Sequence, residues 1–251
     1  MGLVSRFISK PLSHWLKSPR LGRNTPLSDF ERIRHELKPG DVLLVEGRTR
    51  ISEVIKVVTQ SPWSHAALYV GRLHDIENEA VRAAVIRRSA LSPNTQLIIE
   101  SELGTGTVVR ALTEYANHHL RICRPVGLSA DDAQTISAHA IKSLGRDYDV
   151  RQILDLARFL FPWGILPRRW RSSLFRQRAG TETRTVCSTM IAEAFAAVEF
   201  PILPLVQRNE QGRVRLYRRN PKLCTPSDFD YSPYFEIIKY PFYDFTNNPG
   251  Y

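Results

Sequence analysis

Cysteine is scarce. The chain has only Cys123, Cys187 and Cys224, with no CxxC pair and no spacing that suggests zinc. So sparse and odd a set does not make a disulfide framework, and the expectation is reduced thiols in a cytosolic compartment. Long apolar runs are lacking as well: nothing approaches the ~20 residues a membrane-spanning helix needs. The opening segment, MGLVSRFISKPLSHWLKSPRLG, has neither a continuous apolar h-region nor a small-residue cleavage site. Arg6 stands where a myristoylation signal needs Ser or Thr. Repeats of constant period, helix-turn-helix signatures, aromatic RNA-binding motifs and zinc fingers are missing too, which disfavours nucleic acid as a partner. No cofactor and no metal is expected.

What is present is ordinary in bulk and basic in charge. The 251 residues are 43% hydrophobic and 24% charged, at the upper end of what one core supports. The formal net charge of +10 leaves anionic lipid and acidic substrates open as partners. The reading is a basic N-terminal extension over 1–27 and one domain over 28–251. That domain carries a basic, aromatic insert at about 158–178.

Local patterns place the elements. Ser28 with Glu31 fits a capping box and opens a short helix to about Leu37, which Pro39-Gly40 stops. DVLLVE (41–46) reads as a buried strand, and Ser52 to Gln60 as a short helix with Val54, Ile55, Val57 and Val58 inward. HAALYVG (65–71) is the next strand. Residues 72–95 read as a polar surface excursion with room for a short helix. LIIES (97–101) and TVVRAL (107–112), joined through Gly104 and Gly106, form a hairpin, and HLRICRPV (119–126) is a further strand. Ser129 starts a helix that Gly145 ends, and another is expected over 150–161. CSTMIAEAFAAVE (187–199) has clear helical periodicity, and YFEIIKY (234–240) is a late strand. Strands early and late with helices between them give an α+β class.

Cys187 begins the strongest helix, where the positive end of the macrodipole favours thiolate and unpaired N–H groups can stabilise an oxyanion. By position alone a small buried hydrophobe is the commoner fate of such a cysteine. Among seven histidines, His65 differs by starting an apolar strand directly after a Ser-Pro-Trp-Ser loop. Glu100 sets a carboxylate at the end of Leu97-Ile98-Ile99, and buried carboxylates need partners. Glu102 stays open as the alternative.

Taken together, LKPGDVLLVEG (37–47), SPWSHAALYVG (61–71), LIIESELGTGTVV (97–109), GRDYDV (145–150), TVCSTMIAEAF (185–195) and TPSDFDYSPYF (225–235) resemble the YaeF/YiiX type of permuted papain-like amidase. This type is a branch of the NlpC-type cysteine peptidases. The specific part is the order, with the histidine strand before the cysteine helix. The resemblance implies a circularly permuted papain-like fold, a small antiparallel, barrel-like sheet against the cysteine helix. It further implies Cys187 as nucleophile, His65 as base and Glu100 as orienting acid. An amidase or peptidase acting on a small amide or isopeptide is the first reading. A lipid-directed thioesterase, phospholipase or acyltransferase is the second, and a catalytically silent binding module the third.

Two segments bear on location. Residues 1–24 carry Arg6, Lys10, Lys17, Arg20 and Arg23 beside Phe7, Ile8, Trp15 and Leu16, with no acid. FLFPWGILPRRWRSSLFRQR (159–178) again mixes arginines with aromatics. Such composition suits the surface of an anionic bilayer, at the inner face of the membrane.

Overall fold

The structure is a computed structural model that describes residues 27–102, 105–146, 187–208, 212–217 and 219–243. Residues 1–26 of the extension, the insert at 158–178 and the helix expected over 150–161 lie outside the described residues. In chain order come α1 (Phe30–Glu36), β1 (Val42–Glu46), α2 (Arg50–Thr59), β2 (His65–Gly71), α3 (Glu79–Arg88) and β3 (Leu97–Glu102). They are followed by β4 (Gly106–Ala111), β5 (His119–Pro125), α4 (Ala130–Lys142), α5 (Cys187–Ala196), β6 (Leu205–Arg208), β7 (Val214–Tyr217), α6 (Pro226–Tyr231) and β8 (Phe235–Ile238).

Six strands form one antiparallel sheet in the order β4-β3-β2-β1-β5-β8, and β6 pairs with β7 alone. The α+β class holds. The sheet stays open, with β4 and β8 at its edges, so the barrel-like closure is not formed.

Alternation along the strands sends side chains to two separate cores. Val42, Leu44, Ala66, Leu68, Leu97 and Ile99 face one layer, with Val81 and Val85 of α3, Ile136 and Ala140 of α4, and Met190, Ile191, Ala194 and Phe195 of α5. Leu43, Val45, Ala67, Tyr69, Ile98, Leu120 and Ile122 face the other, with Ile33 of α1. Burial on both faces explains the unbroken apolar run of β1, a pattern otherwise common in parallel sheets. Phe195 anchors α5 among Phe200, Phe229 and Phe235, with ring centroids 5.4, 6.5 and 5.4 Å away.

Several expectations shift in detail. Asp29 caps α1 by accepting from Arg32 N–H at 3.1 Å, not Ser28. Ser28 is buried; its Oγ donates to Leu120 O at 3.1 Å and accepts from Leu120 N–H at 2.9 Å, a tertiary use that removes it from the cap. Helix α2 is capped by Thr49, whose side chain accepts from Ser52 N–H, and its Val57 is 54% exposed instead of inward. The short helix allowed for in the polar excursion is the ten-residue α3, held by buried Val81 and Val85.

Candidate active site

Register brings the key strand ends level. Val45 pairs with His65 and Glu46 with His119, so β1, β2 and β5 meet at one end of the sheet. The loop before His65 is fixed by Trp63, which is fully buried and donates from Nε1 to Asp230 at 3.1 Å. Arg121 lies over the indole at 4.7 Å and holds the same carboxylate.

At this end the sheet splits. The β2–β3 ladder runs Gly71↔Leu97, Tyr69↔Ile98, Leu68↔Ile99 and stops, while β3 continues along β4 to Glu102↔Gly106. His65 and Ala66 form one lip of the gap and Glu100 the other. Tyr69 N–H bonds Asp41 O at 2.9 Å across to β1, so alternate residues such as Ala66 point their N–H toward β3. With no β3 carbonyl opposite, Ala66 N–H meets the sulfur of Cys187 instead, as does Ser188 N–H. Ser188 Oγ donates to Cys224 O at 2.6 Å and pins the first turn of α5 there.

Cys187, His65 and Glu100 are thus brought together from three elements. The Cys187 sulfur is hydrogen-bonded to the imidazole. His65 Nε2 lies 2.8 Å from Glu100 Oε2, which leaves Nδ1 for the thiol. Because an ionised carboxylate only accepts, Nε2 carries a proton here. Cys187 is 4% and Glu100 1% exposed, while the His65 side chain keeps 19%. The imidazole is therefore the part of the trio most open to solvent.

Electrostatics reinforce the geometry. Burial opposes charge on all three groups, yet the mutual attraction wins. Burial would push the Cys187 thiol up, but the adjacent imidazolium and the two backbone N–H groups hold it below the ordinary value. Burial would lower His65, but the thiolate and Glu100 hold it well above 6.5. Glu100 falls below the usual carboxylate value because its bonds to His65 and Tyr115 outweigh desolvation. The other two thiols move the opposite way, pushed up mainly by burial, then by Asp230 at Cys123 and Asp228 at Cys224. An ionised, low-pKa thiolate is the form of cysteine that acts as a nucleophile.

Glu102, the alternative, accepts from Arg110 at 2.9 Å and not from the ring. Two residues of the cluster escaped the sequence reading. Tyr115 Oη donates to Glu100 Oε2 at 2.6 Å, and Arg110 Nε stands 3.8 Å from Oε1. Arg110 pairs with Ile98 across the hairpin, diagonal to Glu100 on the same face, so the hairpin register carried a signal for it. Tyr115 comes from a short 3-10 turn with no periodic signal.

With this geometry in view, comparison with known proteins shows what the chain resembles. Residues 36–158 match a family described as "Permuted papain-like amidase enzyme, YaeF/YiiX, C92 family". The resemblance to the YaeF/YiiX amidases is shown. The match suggests a hydrolase of the permuted papain-like cysteine amidase and peptidase superfamily. It covers His65 and Glu100 and ends before Cys187, which only the tertiary fold connects to them. The fold also aligns with the crystal structure of the metalloprotein YiiX from Escherichia coli O157:H7. That alignment has 15% identity, covers 81% of this chain and 97% of that one, and has a TM-score of 0.48. No curated protein matches. Among the described residues, no group of three or more His, Cys, Asp or Glu could hold a metal ion. Also among them, no helix is long and apolar enough to cross a membrane.

Proposed function

We propose that the protein is a cysteine-dependent hydrolase that cleaves an amide or isopeptide bond through a thioester. Cys187 thiolate attacks the acyl carbonyl, and the electron pair of the carbonyl moves onto oxygen. The imidazolium of His65 gives its proton to the leaving amine as the C–N bond breaks. Water, losing a proton to His65, then attacks the thioester and releases the acid and the thiol. Glu100 orients the ring and favours its charged form, the role of the acid in Ser-His-Asp and the amide in Cys-His-Asn systems. The backbone N–H of Cys187 is the proposed oxyanion donor.

The observation that supports this reading is the hydrogen-bonded chain Cys187–His65–Glu100 with a thiolate-imidazolium bias. A panel of peptide, isopeptide and lipid acyl substrates, run against wild type and Cys187→Ala, is the test. Amide cleavage lost in the variant is expected. Turnover of lipid esters or acyl transfer to an amine, with amides untouched, would replace the amidase by the lipid-directed reading. A Cys187 no more reactive toward iodoacetamide than a free thiol would leave a silent binding module. Peripheral contact with anionic membrane is proposed on the composition of 1–24 and 159–178 alone, and liposome co-sedimentation tests it.

A further inference from the structure

The rim above His65 is made by two loops, residues 47–49 after β1 and 116–118 before β5. The pairs Val45↔His65 and Glu46↔His119 set both loops level with the imidazole. The first loop runs tight against the chain preceding His65. Gly47 N–H donates to Ser64 Oγ at 2.9 Å. A Cβ at Gly47 would lie 2.2 Å from Ser52 Oγ and 2.7 Å from Ser64 Oγ. The next residue, Arg48, crosses to the second loop and donates to Asn117 O at 2.6 Å.

A continuous path leads from there to the thiol. The His118 ring lies 5.2 Å from that of Tyr115, which lies 6.2 Å from that of His65. Arg48 is close enough that its charge, after burial, helps keep His118 neutral, with His65 contributing in the same sense.

The cations around this end have different fates. Lys56 is 3.0 Å from both Glu46 and Glu53. Arg110 is held by Glu102 and Glu114, and Arg121 by Asp230. Arg48 makes its hydrogen bond to a carbonyl and meets no carboxylate among the described residues. A guanidinium has five donors in a planar fork suited to a carboxylate or phosphate, and most of Arg48's remain available.

We propose that Arg48 is a specificity-determining residue that binds an anionic group, carboxylate or phosphate, carried by the substrate near the scissile acyl carbon. The proposal rests on the cysteine-hydrolase reading and narrows its substrate class to acyl compounds with a nearby negative charge. Lipid phosphate and a free acidic side chain share this chemistry.

The test uses the full-length protein and two alkylating probes of nearly equal shape, anionic iodoacetate and neutral iodoacetamide, with Cys187 adducts quantified by mass spectrometry. One unit charge within several ångströms of a bound anion changes the anion's local concentration about three- to tenfold. The iodoacetate-to-iodoacetamide rate ratio at Cys187 is expected to fall by that factor in Arg48→Gln, while the iodoacetamide rate holds and reports an intact site. Arg48→Lys should keep most of the ratio. In wild type, raising NaCl should lower it, a measurement that needs no variant. Protection from iodoacetate by inorganic phosphate or by acetate would tell which anion the rim accepts. A ratio unchanged in Arg48→Gln, or protection by neither anion, overturns the proposal. A Cys187 inert to both reagents strikes the hydrolase reading instead.

Discussion

Two buried carboxylates stand at opposite ends of the sheet, and their neighbours make them different in kind. Asp41, 2% exposed at the foot of β1, accepts from Arg124 Nε at 3.1 Å and from its Nη2 at 2.8 Å, and from Lys38 N–H at 2.8 Å. Arg124 is in turn tied to Glu36. That network is closed: the partner is an arginine that never releases its proton. Glu100, equally buried, has as its partner an imidazole that does exchange protons and that bonds a thiol on its other side. Burial of a carboxylate is therefore no mark of function by itself. What distinguishes the two is whether the chain of hydrogen bonds ends on a group that can react.

The sharpest break of this comparison is removal of the reactive end. Cys187→Ala should reduce turnover to background and leave the melting transition nearly in place, since the change removes one buried sulfur. Calorimetry beside an activity assay checks both halves. Next, Glu100→Gln should lower kcat by about 10²–10⁴-fold while the protein stays folded. Asp41→Asn should do the reverse, with activity retained and about 3 kcal/mol of stability lost to the incompletely paired Arg124. If both variants behave alike, the distinction between the two ends is void.

A smaller effect concerns pH. Because Cys187 is held below and His65 above their ordinary values, iodoacetamide labelling of Cys187 should persist well below the usual thiol range, near 8.5. It should decline only as pH falls through the lowered thiol pKa. Turnover should also decline at high pH, as His65 loses its proton through its raised pKa. Labelling of Cys123 and Cys224 should stay slow throughout, because burial keeps both thiols protonated.

The smallest effect is in stability against pH. Glu100 is lowered by folding, so its contribution is present above the unfolded value, about 4.3, and lost as pH falls through the folded one. Asp41 is raised because burial outweighs Arg124, so its contribution has the opposite sign and declines as pH rises through that window. Denaturant titrations between acid and neutral pH should show opposite slope changes for Glu100→Gln and Asp41→Asn. A common sign would remove the electrostatic contrast.

Much of this was legible beforehand, for identifiable reasons. The strand over 65–71 matches the observed β2 residue for residue, because its apolar run is bounded by Ser64 and Gly71. The cysteine helix shows its periodicity because four of its apolar residues, at 190, 191, 194 and 195, enter one core. Ser28 misled because a residue two-handed in hydrogen bonding serves a strand 92 residues away as readily as its own helix. Val57 misled because an apolar residue also occupies the solvent side of α2, where it is 54% exposed. The β6–β7 hairpin and α6 went unread, being short segments of four and six residues.

By itself the sequence determined the longer elements, the buried first strand and three chemically capable residues, since hydrophobic period and residue type are local properties. Only the tertiary structure decided that β2 and β3 part beyond Leu68↔Ile99, and that the sulfur of a helix far along the chain fills the gap. It also decided that Glu100, and not Glu102, meets the ring. Those outcomes depend on where a ladder of hydrogen bonds stops. That point is set by packing on both faces of the sheet, which no window along the chain contains.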